Sequence, residues 1–379
     1  MKILFLSHDP VYPSYSGQRL RTRALYEALA SVHEVELFVP GGAGEGRSCD
    51  CPPRARGRGR MIGAFLRGKS VWRARFDDPH VREAIMKRLG SGFDLVVCAG
   101  LPSAFCLPER CGNLPVWIDE QNVEWRILER AAKVRGGLYG VLARREADKL
   151  RIAEEGAVRR CAVVSTCSLE DARVIGSSNV LPNVSSGPGT DFVRDPIPRT
   201  LVFTGTLCWG PNVDAARWMA KEIMPKIRER VVDARLRIVG RDPGPQVKEL
   251  EGLAGVEVVG EVPSIWAELA RASVSVAPIR MGSGTRIKII EAAFAGLPTV
   301  ATTIGAEGLD FQPLRDIELA DDASAFAQAC IRFLENPRRA KEVGDNATRV
   351  AKLSYGPDGF RQQALALAEK AVSEFVRIS

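Results

Sequence analysis

The 379-residue chain is expected to form two doubly wound α/β domains, and three observations predict this. Each half repeats a short apolar strand, a turn and an amphipathic helix. The strands are apolar along their whole length, as strands buried on both faces of a parallel sheet are. Between the halves, residues 182–199 are rich in Pro, Gly, Ser and Asp, the composition of a connecting segment. At this length each half can bury a full core.

The first half has strand patterns at 2–7, 34–39, 95–99, 116–119 and 162–166. Helical patterns lie near 17–31, 79–89 and 123–160, the last interrupted at Gly136-Gly137. The second half has strands at 200–205, 235–239, 256–259, 273–277 and 299–302, with helices near 212–230, 244–251, 264–270 and 285–295. A weak strand near 315–319 and helices from Asp322 follow. The last helix, 358–378, is amphipathic and is expected to pack back on the first domain. The division is therefore 1–184, a linker at 185–199, and 200–357, with 358–379 returning to the first domain. Open α/β sheets bind ligands beyond the carboxyl ends of their strands. Two such domains facing each other would put strand ends on both walls of a cleft.

Composition narrows the class. A chain 45% hydrophobic and 26% charged is an ordinary soluble one. No stretch approaches the ~18–20 uninterrupted apolar residues of a membrane span. The start turns polar at Ser7-His8, too early for a signal peptide, so a cytoplasmic protein is expected. The nine cysteines are odd in number and scattered. Several (Cys98, Cys161, Cys330) lie in apolar runs, as reduced core cysteines do. Cys49-Asp50-Cys51 and the pair Cys106/Cys111 lack a partner pair at zinc-site spacing, so no metal is expected.

The net charge of +7 is local in origin. Arg47, Arg54, Arg56, Arg58, Arg60, Arg67, Lys69, Arg73 and Arg75 face only Glu45 and Asp50 over that stretch. For 47–60 the reading is a solvated loop. For 61–76, Met61, Ile62, Phe65, Leu66, Val71 and Trp72 alternate with the cations. Two readings stand there: contact with an anionic membrane or polyanionic acceptor, or an ordinary helix. No nucleic-acid-binding motif accompanies the charge.

The most informative stretch is 281–300. A strand runs into Gly282-Ser283-Gly284-Thr285, which opens a helix carrying Arg286, Lys288 and Glu291. Free N–H groups at a helix start attract anions, and Gly lets a ligand approach the backbone. Cations there oppose the helix dipole at a cost of some tenths of a kcal/mol, a cost that a bound anion would remove. Two cations suit a diphosphate, and a carboxylate two turns in suits vicinal hydroxyls such as those of a ribose. The set reads as a nucleotide-sugar site.

Five segments extend this reading. They are Ser7-His8-Asp9-Pro10 through Gly17, Leu181-Pro182-Asn183-Val184, Thr204-Gly205-Thr206 through Trp209 to Asp214, Ile238-Val239-Gly240-Arg241, and 281–308 through Gly305-Ala306-Glu307-Gly308. In that order and spacing the chain resembles the large retaining GT-B glycosyltransferase family 4, over essentially its whole length. The resemblance implies two Rossmann-like domains. It also implies a nucleoside-diphosphate sugar donor, a glycan or lipid-linked acceptor, and no cofactor. Donor contacts would come from Gly17, Gly205, Thr206, Gly240, Arg241, Gly282, Ser283, Gly284, Thr285 and Glu291. Arg286 and Lys288 would stabilise the leaving diphosphate. Asn122 would face the reacting carbon, while His8, Asp119 and Trp209 would lie on the acceptor or sugar side.

The sequence departs from the family at three places. The fingerprint usually carries two glutamates, and Ser283 stands at the first. The turn after residue 205 usually carries Arg and Lys, and here it has no cation. Gln121 stands where a His is usual. The reading taken is that Arg286 and Lys288 replace the missing cations from another wall of the pocket. Rival readings are weaker. A nucleotide-sugar epimerase of the same fold would need clustered carboxylates and His, and the chain has three His. A Rossmann oxidoreductase would need Gly-x-Gly-x-x-Gly after the first strand. A non-catalytic nucleotide-sugar binder would fit the missing glutamate.

Overall fold

The computed structural model describes residues 1–14, 16–40, 58–109 and 111–378. Arg47, Arg54, Arg56, Cys49-Asp50-Cys51 and Gly57 lie outside the described residues. The chain divides into two units, Met1–Asn183 with Asp358–Ser379, and Val184–Pro357.

In the first unit, β1 (Lys2–Ser7), β2 (Glu34–Phe38), β3 (Leu95–Ala99), β4 (Val116–Glu120), β5 (Val163–Thr166) and β6 (Asn179–Val180) form one sheet. Its order is β2-β1-β3-β4-β5-β6, and every pairing is parallel. The sheet core holds Leu4, Leu6, Val96, Cys98, Val116 and Ile118. The helix Gly17–Ala30 follows β1, and its Ser16 cap accepts from Arg19 N at 3.3 Å. Gly136, at φ 58°, separates the helix Glu124–Arg135 from Gly137–Val158. Glycine adopts such a positive φ without strain.

The stretch 61–76 falls in two short helices, Arg58–Leu66 and Val71–Phe76, rather than one. Gly68, at φ 67°, lies between them. This corrects the reading of 61–76 as a single apolar-basic face. Trp72 and Phe76 turn inward, their rings 4.7 Å apart, and Trp72 meets Phe105 at 6.0 Å. Ile62, Phe65 and Leu66 stay exposed.

In the second unit the strands are β7 (Thr200–Thr204), β8 (Arg235–Val239), β9 (Val256–Gly260), β10 (Val274–Ala277), β11 (Thr299–Ala301) and β12 (Glu318–Leu319). The order is β12-β11-β10-β7-β8-β9, again parallel throughout. The chain moves outward from β7 through β8 to β9, then crosses back and moves the other way from β10. The order therefore reverses between β7 and β10, where loops leave in opposite directions and a ligand can enter. Leu201, Phe203, Leu236, Ile238 and Val276 fill the core against helices 210–230 and Ala323–Glu335.

The segment expected as a linker is fastened to the second unit. Arg194 donates to the carbonyls of Gly296 and Ala272, each at 2.7 Å, and Asp195 N and Ile197 N bond Ala270 O and Arg271 O. These bonds satisfy carbonyls that the preceding elements leave open. The last helix, Pro357–Ile378, packs within the first unit from Asp358 onward. Its Phe360 ring lies 5.9 Å from the Arg21 guanidinium, and Lys370 donates to Asn179 at 2.7 Å.

Arg21 is the polar centre of the first unit. It donates to both Asp119 oxygens at 2.8 and 2.7 Å, to Pro182 O at 3.0 Å and to Asn183 Oδ1 at 3.2 Å. Removing one partner of such a buried pair strands the other charge. Arg21→Met should cost about 3–5 kcal/mol of stability in urea unfolding. Arg21→Met with Asp119→Leu should recover much of it. A single variant as stable as the parent would contradict this placement.

Candidate functional site

The second unit brings the fingerprint residues together at the β7/β10 reversal. After β10 the chain runs from Pro278 to Arg286 before the helix Ile287–Phe294. The loop is clamped at its start. Arg280 makes a two-pronged pair with Asp214 at 2.8 and 3.0 Å and lies over Trp218. Thr302 donates to Ile279 O and accepts from Gly305 N. Arg286 is buried, and its guanidinium donates to the carbonyls of Ser283 (2.7 Å), Gly284 and Ile304 (3.4 Å). Its planar fork thus braces the loop from inside, with Ser283, Thr285 and both loop glycines also buried.

Lys288 has a different setting. Its ammonium donates to Asn212 Oδ1 at 2.8 Å and lies 4.1 Å above the Phe203 ring. Asn212 is buried in the first turn of the helix Gly210–Trp218, and its Nδ2 donates to Thr206 O at 3.0 Å. The Lys288 charge therefore sits at the end of β7, against the turn where the sequence has no cation. Packing there requires glycine. A Cβ on Gly205 would lie 2.6 Å from Asn212 Nδ2 and 2.9 Å from Lys288 Nζ. A Cβ on Gly240 would lie 1.7 Å from Gly205 O. Arg241 pairs with Asp242 at 2.8 Å, and its carbonyl accepts from Leu207 N. Trp209 stands exposed on the same turn as Thr206, at the N-cap of the helix.

Glu291 lies one turn beyond Lys288. Among the described residues no hydrogen bond reaches its carboxyl. Burial pushes the carboxyl up to about 8, with Lys288 opposing. Burial pushes Lys288 down to about 7, with Arg286 adding to the fall and Glu291 opposing it. A dianionic ligand would draw a proton onto Lys288, and a charged Lys288 favours the ionised carboxylate.

The first unit is less concentrated. Gly17 opens the helix after β1. His8 follows the same strand, 3.4 Å from Asp9 and 3.5 Å from Gln18 Nε2, with its ring edge to Phe76. Asn122 is half-buried and donates to Glu124 at 3.4 Å. Asp119 requires correction. It is fully buried, and Arg21 and Ser165 (2.7 Å) occupy its oxygens, so it has no surface to offer a sugar. Glu120, next to it, is also buried, and neither of its oxygens has a hydrogen-bond partner among the described residues. Burial, then the nearby Glu154 and Glu124, hold its carboxyl well above the usual range. Glu154 accepts from the Glu124 and Trp125 amides at 3.2 and 3.4 Å, capping that helix.

Asn212 and Phe203 were not singled out from sequence. The available signal was a polar side chain in the otherwise apolar first turn after Gly210-Pro211. Among the described residues no group of three or more His, Cys, Asp or Glu is placed to hold a metal ion.

Two parallel six-stranded sheets flanked by helices make this the GT-B fold of glycosyltransferase structures. Residues 198–336 match the family model of Glycosyl transferases group 1. The chain is similar in fold to sucrose-phosphate synthase from Thermosynechococcus elongatus, with a TM-score of 0.70 at 18% identity, over 98% of this chain and 99% of that one. It is also similar to Anabaena Alr3699/HepE in complex with UDP-glucose, with a TM-score of 0.65 at 13% identity, over 97% and 98% of the two chains. An uncharacterized 44.6 kDa protein in the cps region of Klebsiella pneumoniae is 23% identical over 163 residues. That match takes in 41% of this chain and 42% of the relative, less than half of its length.

In the empty protein Lys288 should half-titrate near pH 7, followed by the pH dependence of its acylation. Glu291→Gln should lower that midpoint. A midpoint at the ordinary lysine value would contradict the buried setting. The sign for stability follows by linkage. Between about 7 and 10.5 the unfolded lysine holds a proton that the folded one has released, so this group's contribution to stability rises with pH there. Glu291 acts oppositely. From 4.5 to about 8 the folded carboxyl keeps a proton that the unfolded one loses, so its contribution falls with pH.

Proposed function

We propose that the chain is a retaining, metal-independent glycosyltransferase. It moves a sugar from a nucleoside-diphosphate sugar to an acceptor hydroxyl, in cell-envelope or exopolysaccharide glycan assembly. The observation that carries this reading is the Lys288 ammonium, seated by Asn212 at the Gly205 turn, with Glu291 one turn further along the same helix. The match over 198–336 supports it.

On this reading the diphosphate lies against Gly205, Thr206 and the loop 282–286, and the first amides of the helix Ile287–Phe294 point at it. Charge grows on the leaving diphosphate as the glycosidic C–O bond breaks. Lys288 and those amides stabilise that charge with groups already in place. Arg286 acts on the same charge while holding the loop's shape. Glu291 accepts from the ribose hydroxyls. In the first unit Asn122 and His8 serve the sugar and acceptor side. The UDP-glucose held by the Anabaena neighbour makes a uridine diphosphate sugar the first donor to test. The acceptor is a glycan or lipid-linked sugar, met in the cytoplasm or at the inner face of a membrane.

The test is release of UDP, GDP, ADP or TDP from a panel of sugar donors. Lys288→Ala should lower kcat more than it weakens donor binding, because its partner charge is larger in the transition state. Glu291→Ala should weaken donor binding by about 1–3 kcal/mol, the range for a lost charged hydrogen bond. Normal turnover by Lys288→Ala would place the diphosphate elsewhere. In a separate assay, activity should survive EDTA; collapse on chelation with recovery on added magnesium or manganese would overturn metal independence.

A further inference from the structure

The helix Glu124–Arg135 starts without a cap of its own. Its N-cap position is Val123, which has no side-chain oxygen to offer the first amides, and valine is among the poorest residues there. The cap comes from 30 positions further along the chain. Glu154, fully buried on the helix Gly137–Val158, accepts from the Glu124 and Trp125 amides. Those amides have no partner inside their own helix, and a carboxylate there also meets the positive end of the dipole.

Asn122 depends on this helix start. The connection from β4 is only Gln121–Val123. Gln121 is anchored at one end, its Nε2 donating to Thr22 Oγ1 at 2.9 Å. Asn122 donates to the Glu124 carboxyl on the other side. The seat of Asn122 is therefore set by β4 and by the helix start that Glu154 holds.

Glu120, Glu124 and Glu154 stand together beside this seat. Glu120 is 1% exposed, and among the described residues neither of its oxygens has a hydrogen-bond partner. It is faced by Glu124, Glu154 and Asp171 from three helices, by Asp119 on its own strand, and by the thiols of Cys98 and Cys161. Nearby cations are bound to other groups. Arg21 holds Asp119, Arg126 lies 3.4 Å from Asp171, and Arg151 pairs with Glu155 at 2.9 Å and covers the Trp125 ring. Burial, and then neighbouring carboxyls, hold Glu120 and Glu154 well above the usual range. Burial pushes Glu124 up to about 7, with the Asn122 bond opposing.

We propose that Glu154 is a positioning residue for Asn122, and that the three carboxyls together make its hold depend on protonation. While the cluster keeps its protons, Glu154 holds both amides. The first charge to form can rest on Glu154 against the helix start. A second and a third have no cation to match them, and they are relieved when the helix start swings into water and carries Asn122 with it. The sign follows by linkage. Each folded carboxyl keeps a proton that it loses on exposure, so local opening becomes easier as pH rises, from 4.5 to about 7 for Glu124 and further for the other two. The part Asn122 plays in sugar transfer rests on the functional reading above; the hold on the helix start does not.

The test is amide exchange of residues 121–126 in the full chain, followed by mass spectrometry and corrected for the intrinsic rate at each pH. Opening should become about tenfold easier between about pH 5 and about pH 9. Glu120→Gln keeps the shape and removes one titration, and should flatten that rise. Glu154→Leu should speed exchange of the Glu124 and Trp125 amides about tenfold, and Glu154→Gln, which keeps one acceptor oxygen, should restore part of their protection. Exchange that follows the intrinsic rate at every pH would overturn the dependence on protonation. Full protection of both amides in Glu154→Leu would overturn the hold, and faster exchange across the whole first unit would make Glu154 merely structural. In the transferase assay Glu154→Leu should lower kcat and leave UDP affinity unchanged. A normal kcat beside altered exchange would leave the hold standing and overturn the part given to Asn122.

Discussion

The hydrogen bond from Lys288 to Asn212 holds the strand ends of the second unit together where the chain order reverses. It joins two helix starts across the β7/β10 reversal. An ammonium taken out of water needs compensation of several kcal/mol. Here it has one amide oxygen, the face of Phe203 and a half-buried carboxyl nearby. That set is incomplete, which is why the charge is held loosely on the nitrogen. The same contact dictates the backbone around it. A Cβ on Gly205 would push the ammonium and the Asn212 amide aside, and a Cβ on Gly240 would strike the Gly205 carbonyl. Residues that read as separate sequence marks are thus consequences of one packing arrangement.

The first unit resolves a related problem in two ways on adjacent residues. Alternation along β4 sends Asp119 and Glu120 to opposite faces. Asp119 meets Arg21 and Ser165, and the pair ties β4 to the first helix and to residues 182–183. Glu120 meets no donor among the described residues and stands among other carboxyls, so burial holds its carboxyl well above the usual range. The polar cluster after β4 is therefore mostly internal, and Asn122 is the member left half-open.

What could be read from sequence follows from range. The strands and the helix after Gly284 are local patterns, and apart from the strand near 315–319, which shrinks to Glu318–Leu319, they stand within a residue or two of their expected bounds. β6, two residues long, carries too little pattern to register. The fate of Asp119 was hidden because its partner Arg21 lies 98 positions away. Asn212 was hidden because Lys288 is 76 positions away. Residues 61–76 misled because a helix period was carried across Gly68. On either side of that break the apolar residues face different ways, Phe65 to solvent and Trp72 to the core.

Arg286 and Lys288 show why two cations two positions apart take different work. A guanidinium has five donors in a fixed plane and stays charged in nearly any setting, so it is suited to satisfying several carbonyls at once. Arg286 does this, and the loop that presents Ser283 and Gly284 is shaped around it. An ammonium is a point charge on a flexible stem, and burial moves its pKa readily. Lys288 uses that reach to leave its own helix start and stand at the end of β7. The Lys288 charge thus stands against the turn after Gly205, with Asn212 fixing where it stops.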